Sequence, residues 1–360
     1  MPAIQANENR VPAGTLSNGV LHLTLDARTG LWQPDGPSRE VLVVQAFGEP
    51  GRPLQAPGPL VRVPAGTIVD ATVRNELPGK TLAMHGLQDR PANLDESFKL
   101  AYGAQRTVRF RLNKAGTYYY WATTTGQPFS VREGADAQLN GAIVVDPPNY
   151  KFNPNNDRVF VITDWDDVHK GHKMAFIYQQ EMINGRAFPA TERLSYERGT
   201  NVIWHLVNAS YEDHPLHLHG FFFDVLARGN GLTDAPYPAG QRDREVTELS
   251  TSGTTSTLAW TASRPGNWML HCHLAYHIMA HTPLNLPPND KPSFERYEHS
   301  GKMGGMIVLL TVTPKPGDPP VTDPKAARNL KLIVERAPED KPHAPAFAYV
   351  LEENGTATTG

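Results

Sequence analysis

The sequence predicts an all-β protein of two tandem β-sandwiches with a short C-terminal extension. Three observations carry this expectation. Proline (32 residues) and glycine (30 residues) cut the chain into short β-rich runs. Long stretches with helical periodicity are missing. The chain also repeats itself. Residues 59–75, PLVRVPAGTIVDATVRN, resemble residues 193–208, RLSYERGTNVIWHLVN: a strand, a glycine turn, then an alternating strand ending in Asn. Met84-His85-Gly86 matches Leu218-His219-Gly220. Residues 116–121, GTYYYW, match 266–271, GNWMLH. Residues 141–145 match 305–309. The matches follow one order in both halves, which predicts a first sandwich over 1–148 and a second over 149–315. The linker runs from Asp146-Pro147-Pro148-Asn149 into 153–157. A Pro-, Asp- and Lys-rich stretch, 316–328, is a second linker. Beyond it, 330–335 and 347–351 are strand-like runs too short for a domain. The 316–360 tail is expected either to pack on the second sandwich or to begin a further domain.

Composition narrows the function classes. Hydrophobic residues are 39%, charged residues 20% and the net charge is −3. No basic cluster suggests nucleic acid, and no apolar run approaches a membrane span. The first residues lack the basic and apolar regions of a leader. Either the protein is cytoplasmic or a leader was removed from it. A single cysteine, Cys272, excludes an internal disulfide.

Cys272 stands in the most informative run of the chain, His271-Cys272-His273 with His277 four residues on. Side chains alternate along a strand, so His271 and His273 are expected on one face and Cys272 on the other. A second cluster, His214-Pro215-Leu216-His217-Leu218-His219, divides in the same way. His214, Cys272 and His277 form one set, the trigonal His₂Cys arrangement that suits a blue, type 1 copper. His217, His219, His271 and His273 form the other. The arrangement suits electron transfer between two metal sites, with Cys272 as the link. The expected axial ligand is Met306, with Met303 as second choice, because the repeat places Met306 at the start of the last strand. A Pro-rich stretch, 282–302, is an insertion expected to loop over the copper. His281 and His299, which flank it, are secondary ligand candidates.

The motifs HPLHLHG and HCHxxxH, with PGPLVRVPAGT, resemble the multicopper oxidases, laccase-like proteins built from cupredoxin domains. The resemblance covers about 40–315. It implies two cupredoxin-like Greek-key sandwiches and an oxidoreductase that draws electrons from a reducing substrate or redox partner protein. It implies electron uptake at the type 1 copper through exposed His277 or His214, then passage through Cys272 to His271 and His273 at a three-copper cluster that reduces O₂. His217 matches a type 2 ligand, and His219, His271 and His273 match type 3 ligands. By the resemblance the protein is periplasmic or secreted.

The first copy departs from the family. Where His-Trp-His-Gly is usual, the chain has Ala83-Met84-His85-Gly86. Where His-Ser-His is usual, it has Trp121-Ala122-Thr123. Five of the eight cluster positions keep histidine: His85, His217, His219, His271 and His273. Tyr118, Tyr119 and Tyr120 are candidates for a replacement phenol, and Asp95-Glu96 for a proton path. Some longer bacterial members similarly have a degenerate first domain and carry further cupredoxin domains with intact motifs. The tail is expected to lead into such a domain. Two-domain relatives instead complete the cluster between subunits, which cannot restore ligands that every copy lacks. The alternative is a type 1 copper protein that transfers electrons or binds copper without reducing O₂.

Overall fold

The computed structural model describes residues 1–36, 41–132, 134–166, 180–278, 303–318, 330–336, 347–353 and 356–358. The 282–302 insertion, with His281 and His299, lies outside the described residues. The described elements are strands and short 3₁₀ turns, as the broken β-rich pattern predicts. Residues 1–315 form one compact unit and 316–360 another.

Each half of the first unit is a pair of stacked sheets. In the first half, one sheet runs in the order Ile4–Ala6, Leu54–Ala56, Leu42–Gly48, Val20–Trp32, Thr67–Asn75, Gln105–Leu112. The facing sheet runs Val61–Pro64, Asn140–Asp146, Gly116–Thr123, Leu82–His85, Ser97–Leu100. The second half repeats the five-stranded sheet as Arg193–Glu197, Ile307–Thr313, Gly266–Cys272, His214–Leu218, Thr247–Ser250. In both copies the first two of these strands pair in parallel and the others antiparallel, a crossed connection that a simple meander cannot make.

Alternation sets the cores. Thr67–Asn75 buries every second residue, and Val69, Ala71 and Val73 join Leu23, Leu25, Tyr118 and Tyr120 in the first core. The second core gathers Trp204, Leu216, Leu218, Val225, Leu258 and Leu270 around Cys272 and Met306. Burial of such side chains contributes about 1.5–3 kcal/mol each. The repeated Asn also repeats its task. Asn75 Nδ2 donates to the carbonyls of Lys80 and Leu100. Asn208 Nδ2 donates to those of Glu212 and Ser250. In each case the amide ties down the loop that leads into the histidine-bearing strand.

One detail of the repeat is corrected. The sequence match sets 141–145 against 305–309. Strand pairing instead places Trp121 opposite Asn140 and His271 opposite Ile307. The Cys272 N–H donates to the Met306 carbonyl, as the Ala122 N–H donates to that of Leu139. Met306 is thus the counterpart of Leu139, three residues from where the apolar pattern sets it. A run of small and β-branched residues offers no landmark against such a slip.

Between the two sandwiches lies a buried ionic junction. Arg62 donates from Nε and Nη2 to Asp146 (3.0 and 2.7 Å) and from Nη1 to Asp157 (2.9 Å). Asp157 also accepts from Tyr150 Oη (2.7 Å) and faces His205 Nε2 at 3.3 Å. Burial works to raise the Asp157 pKa, but His205 and Arg62 hold it well below the usual carboxylate range. His205 is part of this junction.

The tail forms its own antiparallel sheet of Leu330–Arg336, Phe347–Glu353 and Thr356–Thr358. The two predicted runs are both strands, each slightly longer than expected.

Arg62→Met removes the one guanidinium shared by two buried carboxylates, and breaking such a pair costs about 3–5 kcal/mol. Urea unfolding is expected to shift by that amount; a loss below about 1 kcal/mol would show that the junction does not hold the sandwiches together. In the native chain the Asp157 contribution is complete above about pH 4, the unfolded carboxylate range. It is lost as the pH falls through the depressed folded value.

Candidate metal centre

Two strands and one turn bring the predicted residues together. In the strand pairing Leu216 lies opposite Cys272 and His217 opposite His271. The alternation then separates the two sets as expected. His214, Cys272 and His277 point into the sandwich and are fully buried. His217, His219 and His273 are half-buried or exposed on the other side, and His271 is 8% exposed.

The buried set converges. Sγ of Cys272 is 3.3 Å from His277 Nδ1 and 3.9 Å from His214 Nδ1, and the two Nδ1 atoms are 3.1 Å apart. Metal–nitrogen and metal–sulfur bonds of about 2.0–2.3 Å span such separations around one trigonal ion. The donors are one thiolate and two imidazoles, so they fit copper. The outward nitrogens are engaged as well. His214 Nε2 meets Ser210 Oγ at 2.7 Å, and His277 Nε2 meets Glu212 Oε2 at 2.6 Å. These partners take the Nε2–H and leave the Nδ1 lone pairs for a metal, the usual arrangement behind a ligating histidine.

Sequence reasoning missed the residues behind this set. Asp164 and Glu181, both buried, lie 3.6 Å from His214 Nε2 and His277 Nε2. Burial and the neighbouring Asp164 charge push the Glu181 carboxyl far up, so it stays protonated. Burial also works to raise Asp164, but the neighbouring Glu181 and the charges on both histidines hold it down. The signal in sequence was only an acidic residue in each of two apolar strands, Asp157–Trp165 and Gln180–Ile183.

The expectation that electrons enter through an exposed His277 or His214 is corrected. Both rings are 0% exposed. What reaches the surface is Tyr276, 39% exposed, whose ring lies edge-on to His277 with centroids 4.2 Å apart. The Glu212 side chain, 25% exposed, is the other surface group in contact with that histidine.

Met306 is fully buried in the same apolar cluster as Cys272. Its N–H donates to the His277 carbonyl. Gly305 makes this possible: at φ +63° a Cβ there would stand 2.1 Å from the His277 carbonyl oxygen. Met303 is 45% exposed.

On the other face His219 Nε2 lies 3.0 Å from His271 Nε2, and the His217 ring stands 4.9 Å from His219 and 5.3 Å from His273. His85 takes different partners. Its ring stacks on Trp121 at 3.9 Å and 11°, and its Nδ1 is 2.8 Å from Asp95 Oδ2. Strand pairing sets Trp121 opposite His85, as it sets His271 opposite His217. Thr123 Oγ1 donates to the buried carboxylate of Asp136. The tyrosine hydroxyls donate to backbone carbonyls, Tyr118 to Lys114, Tyr119 to Gly253 and Tyr120 to Pro59, so the expected replacement phenol is corrected. Among the described residues, Ala83, Trp121 and Thr123 offer no imidazole.

Comparison with known proteins agrees with the fold. Multicopper oxidase family models match residues 53–150 and 151–289, more than half of the chain. Laccase-1 of Fomitopsis schrenkii is 35% identical over 86 residues, 22% of this chain and 16% of that protein. Laccase-7 of Arabidopsis thaliana is 40% identical over 77 residues, 19% of this chain and 13% of that protein. The chain thus matches less than a fifth of the length of these relatives. Among solved structures, the blue copper oxidase from Nitrosomonas europaea superposes with a TM-score of 0.58 at 20% identity, covering 81% of this chain and 85% of that one. The copper nitrite reductase from Nitrosomonas europaea gives 0.57 at 19% identity, covering 86% and 98%. Among the described residues no helix is long and apolar enough to cross a membrane.

The metal-free site carries protons that a metal must displace. Burial works to lower His214, but the Asp164 carboxylate and Cys272 raise it to about 9. Burial works to raise Cys272, but hydrogen bonds with His214 and His277 bring it down to about 7. Copper affinity is therefore expected to rise with pH between 7 and 9, about tenfold per unit for one displaced proton. Competition against a chelator at several pH values measures this. An affinity flat across that window would remove His214 from the donor set.

Proposed function

The chain belongs to the multicopper oxidases, and on that premise we propose that it is a copper oxidoreductase that takes electrons at a type 1 copper held by His214, Cys272 and His277. The observation that carries the reading is the buried convergence of two Nδ1 atoms and one Sγ within 3.9 Å. Family membership implies copper, and a thiolate with two imidazoles suits both of its oxidation states. Bound there, copper supplies one-electron redox chemistry.

The protein residues do the rest. Ser210 and Glu212 orient the two imidazoles from behind. Met306, buried in the same apolar cluster as Cys272, would add a thioether to the donor set in this reading, and that cluster excludes water. Tyr276 and Glu212 are the surface groups nearest a donor, so a small reducing substrate or a redox partner protein docks at them. Cys272 joins the two faces through one residue of backbone on each side and would link copper held there to His271 and His273.

The first sandwich supports a second reading, a type 1 copper protein that transfers electrons or binds copper without reducing O₂. Ala83, Trp121 and Thr123 offer no imidazole where the family has one. Completion of the cluster would need ligands from a further cupredoxin domain or an assembly partner. By likeness to the family we place the protein in the periplasm or outside the cell.

Copper-loaded protein is expected to show an intense blue band, and Cys272→Ser to lose it; a band that persists in the variant would sink the type 1 assignment. Met306→Leu is expected to keep the band and raise the reduction potential, read by redox titration. An unchanged potential would remove Met306 from the axial position. Oxygen uptake with a phenolic donor separates the two readings: uptake by this chain alone supports the oxidase, and its absence with a full blue band supports electron transfer.

A further inference from the structure

We infer that the second sandwich holds one further metal ion on its outer face, bound by His219 and His271 with His217 beside them, in place of a three-metal cluster. The inference deepens the proposed function and rests on it only for the identity of the neighbouring Cys272 site.

The first support is tautomeric. His271 Nδ1 lies 2.7 Å from the Cys272 carbonyl, and His217 Nδ1 lies 2.9 Å from the Val246 carbonyl. A carbonyl only accepts, so each Nδ1 carries the hydrogen and donates it. In the neutral ring each Nε2 then holds a lone pair. A carbonyl or carboxylate behind one ring nitrogen is the common support of a ligating histidine.

The second support is distance. His219 Nε2 and His271 Nε2 are 3.0 Å apart. Two nitrogens about 2.0–2.1 Å from one ion at a tetrahedral angle stand about 3.4 Å apart. The pair is thus at chelating separation, bridged without a metal by one displaceable hydrogen. An imidazole-only set of this kind takes copper(II) or zinc.

The third support is what the first sandwich has become. A three-metal cluster needs histidines from both sandwiches. Here Trp121 occupies the ring position beside His85 and itself meets Phe129 edge-on at 5.2 Å. The carboxylate of Asp136 accepts from the Thr123 and Thr124 hydroxyls and from the Thr124 N–H. That loop is built to satisfy its own polar groups and leaves none for a metal. The cation count on this face follows from the donors left, which belong to the second sandwich.

Metal analysis and electron paramagnetic resonance of the copper-loaded full chain test this. Two coppers per chain are expected, one with the thiolate band and one with a nitrogen-only signal. His219→Gln is expected to reduce the count to one and keep the blue band, which also shows that the variant is folded. Cys272→Ser is expected to reduce it to one and keep the nitrogen-only signal. One copper in the native chain with a full blue band would overturn the inference and leave the proposed function standing. Three or more would overturn it in favour of a multinuclear cluster. A nitrogen-only copper lost in His219→Gln, with no blue band in any form, would uphold the inference and sink the type 1 reading.

Discussion

The alternation of side chains along one strand governs this molecule. His271, Cys272 and His273 are consecutive, so a pleated backbone must send the thiol one way and the imidazoles the other. The strand is pinned at that point from both sides, by the Cys272 N–H on the Met306 carbonyl and the His273 N–H on the Pro215 carbonyl. A slip of one residue would carry Cys272 out of the core and His271 into it. Both metal faces therefore stand or fall with one register. The Asn208 amide guards that register on the partner strand by tying the loop before His214.

The buried face is expensive in electrostatic terms. Three ligands, Asp164 and Glu181 are all withdrawn from water. Burial and the Asp164 charge push Glu181 toward its protonated form, and Asp164 and Cys272 raise His214 toward its charged form. A cation of higher charge replaces some of those protons, so metal binding and protonation oppose each other at this site. Burial of both rings leaves Tyr276 and the Glu212 side chain as surface groups in contact with His277.

The outer face shows the opposite economy. The second sandwich keeps four histidines with carbonyls behind two of them. The first sandwich instead holds a tryptophan stacked on His85 and a threonine–carboxylate network around Asp136.

Much was legible in the sequence, because it followed from local rules. The all-β class came from turn residues and short runs, and the division of ligands between two faces came from counting residues along 214–219 and 271–277. The loss of Ala83, Trp121 and Thr123 from the ligand set was visible by internal comparison alone. Tertiary structure decided what depends on long-range neighbours. Burial of His214 and His277 depends on segments distant in sequence that cover them. Asp164 and Glu181 come from separate strands, so no spacing could join them. The partner of Met306 depended on strand register, which an apolar run does not encode. Trp121 could be read as an absent histidine, but only the folded chain shows its ring lying flat on His85, where stacking replaces coordination.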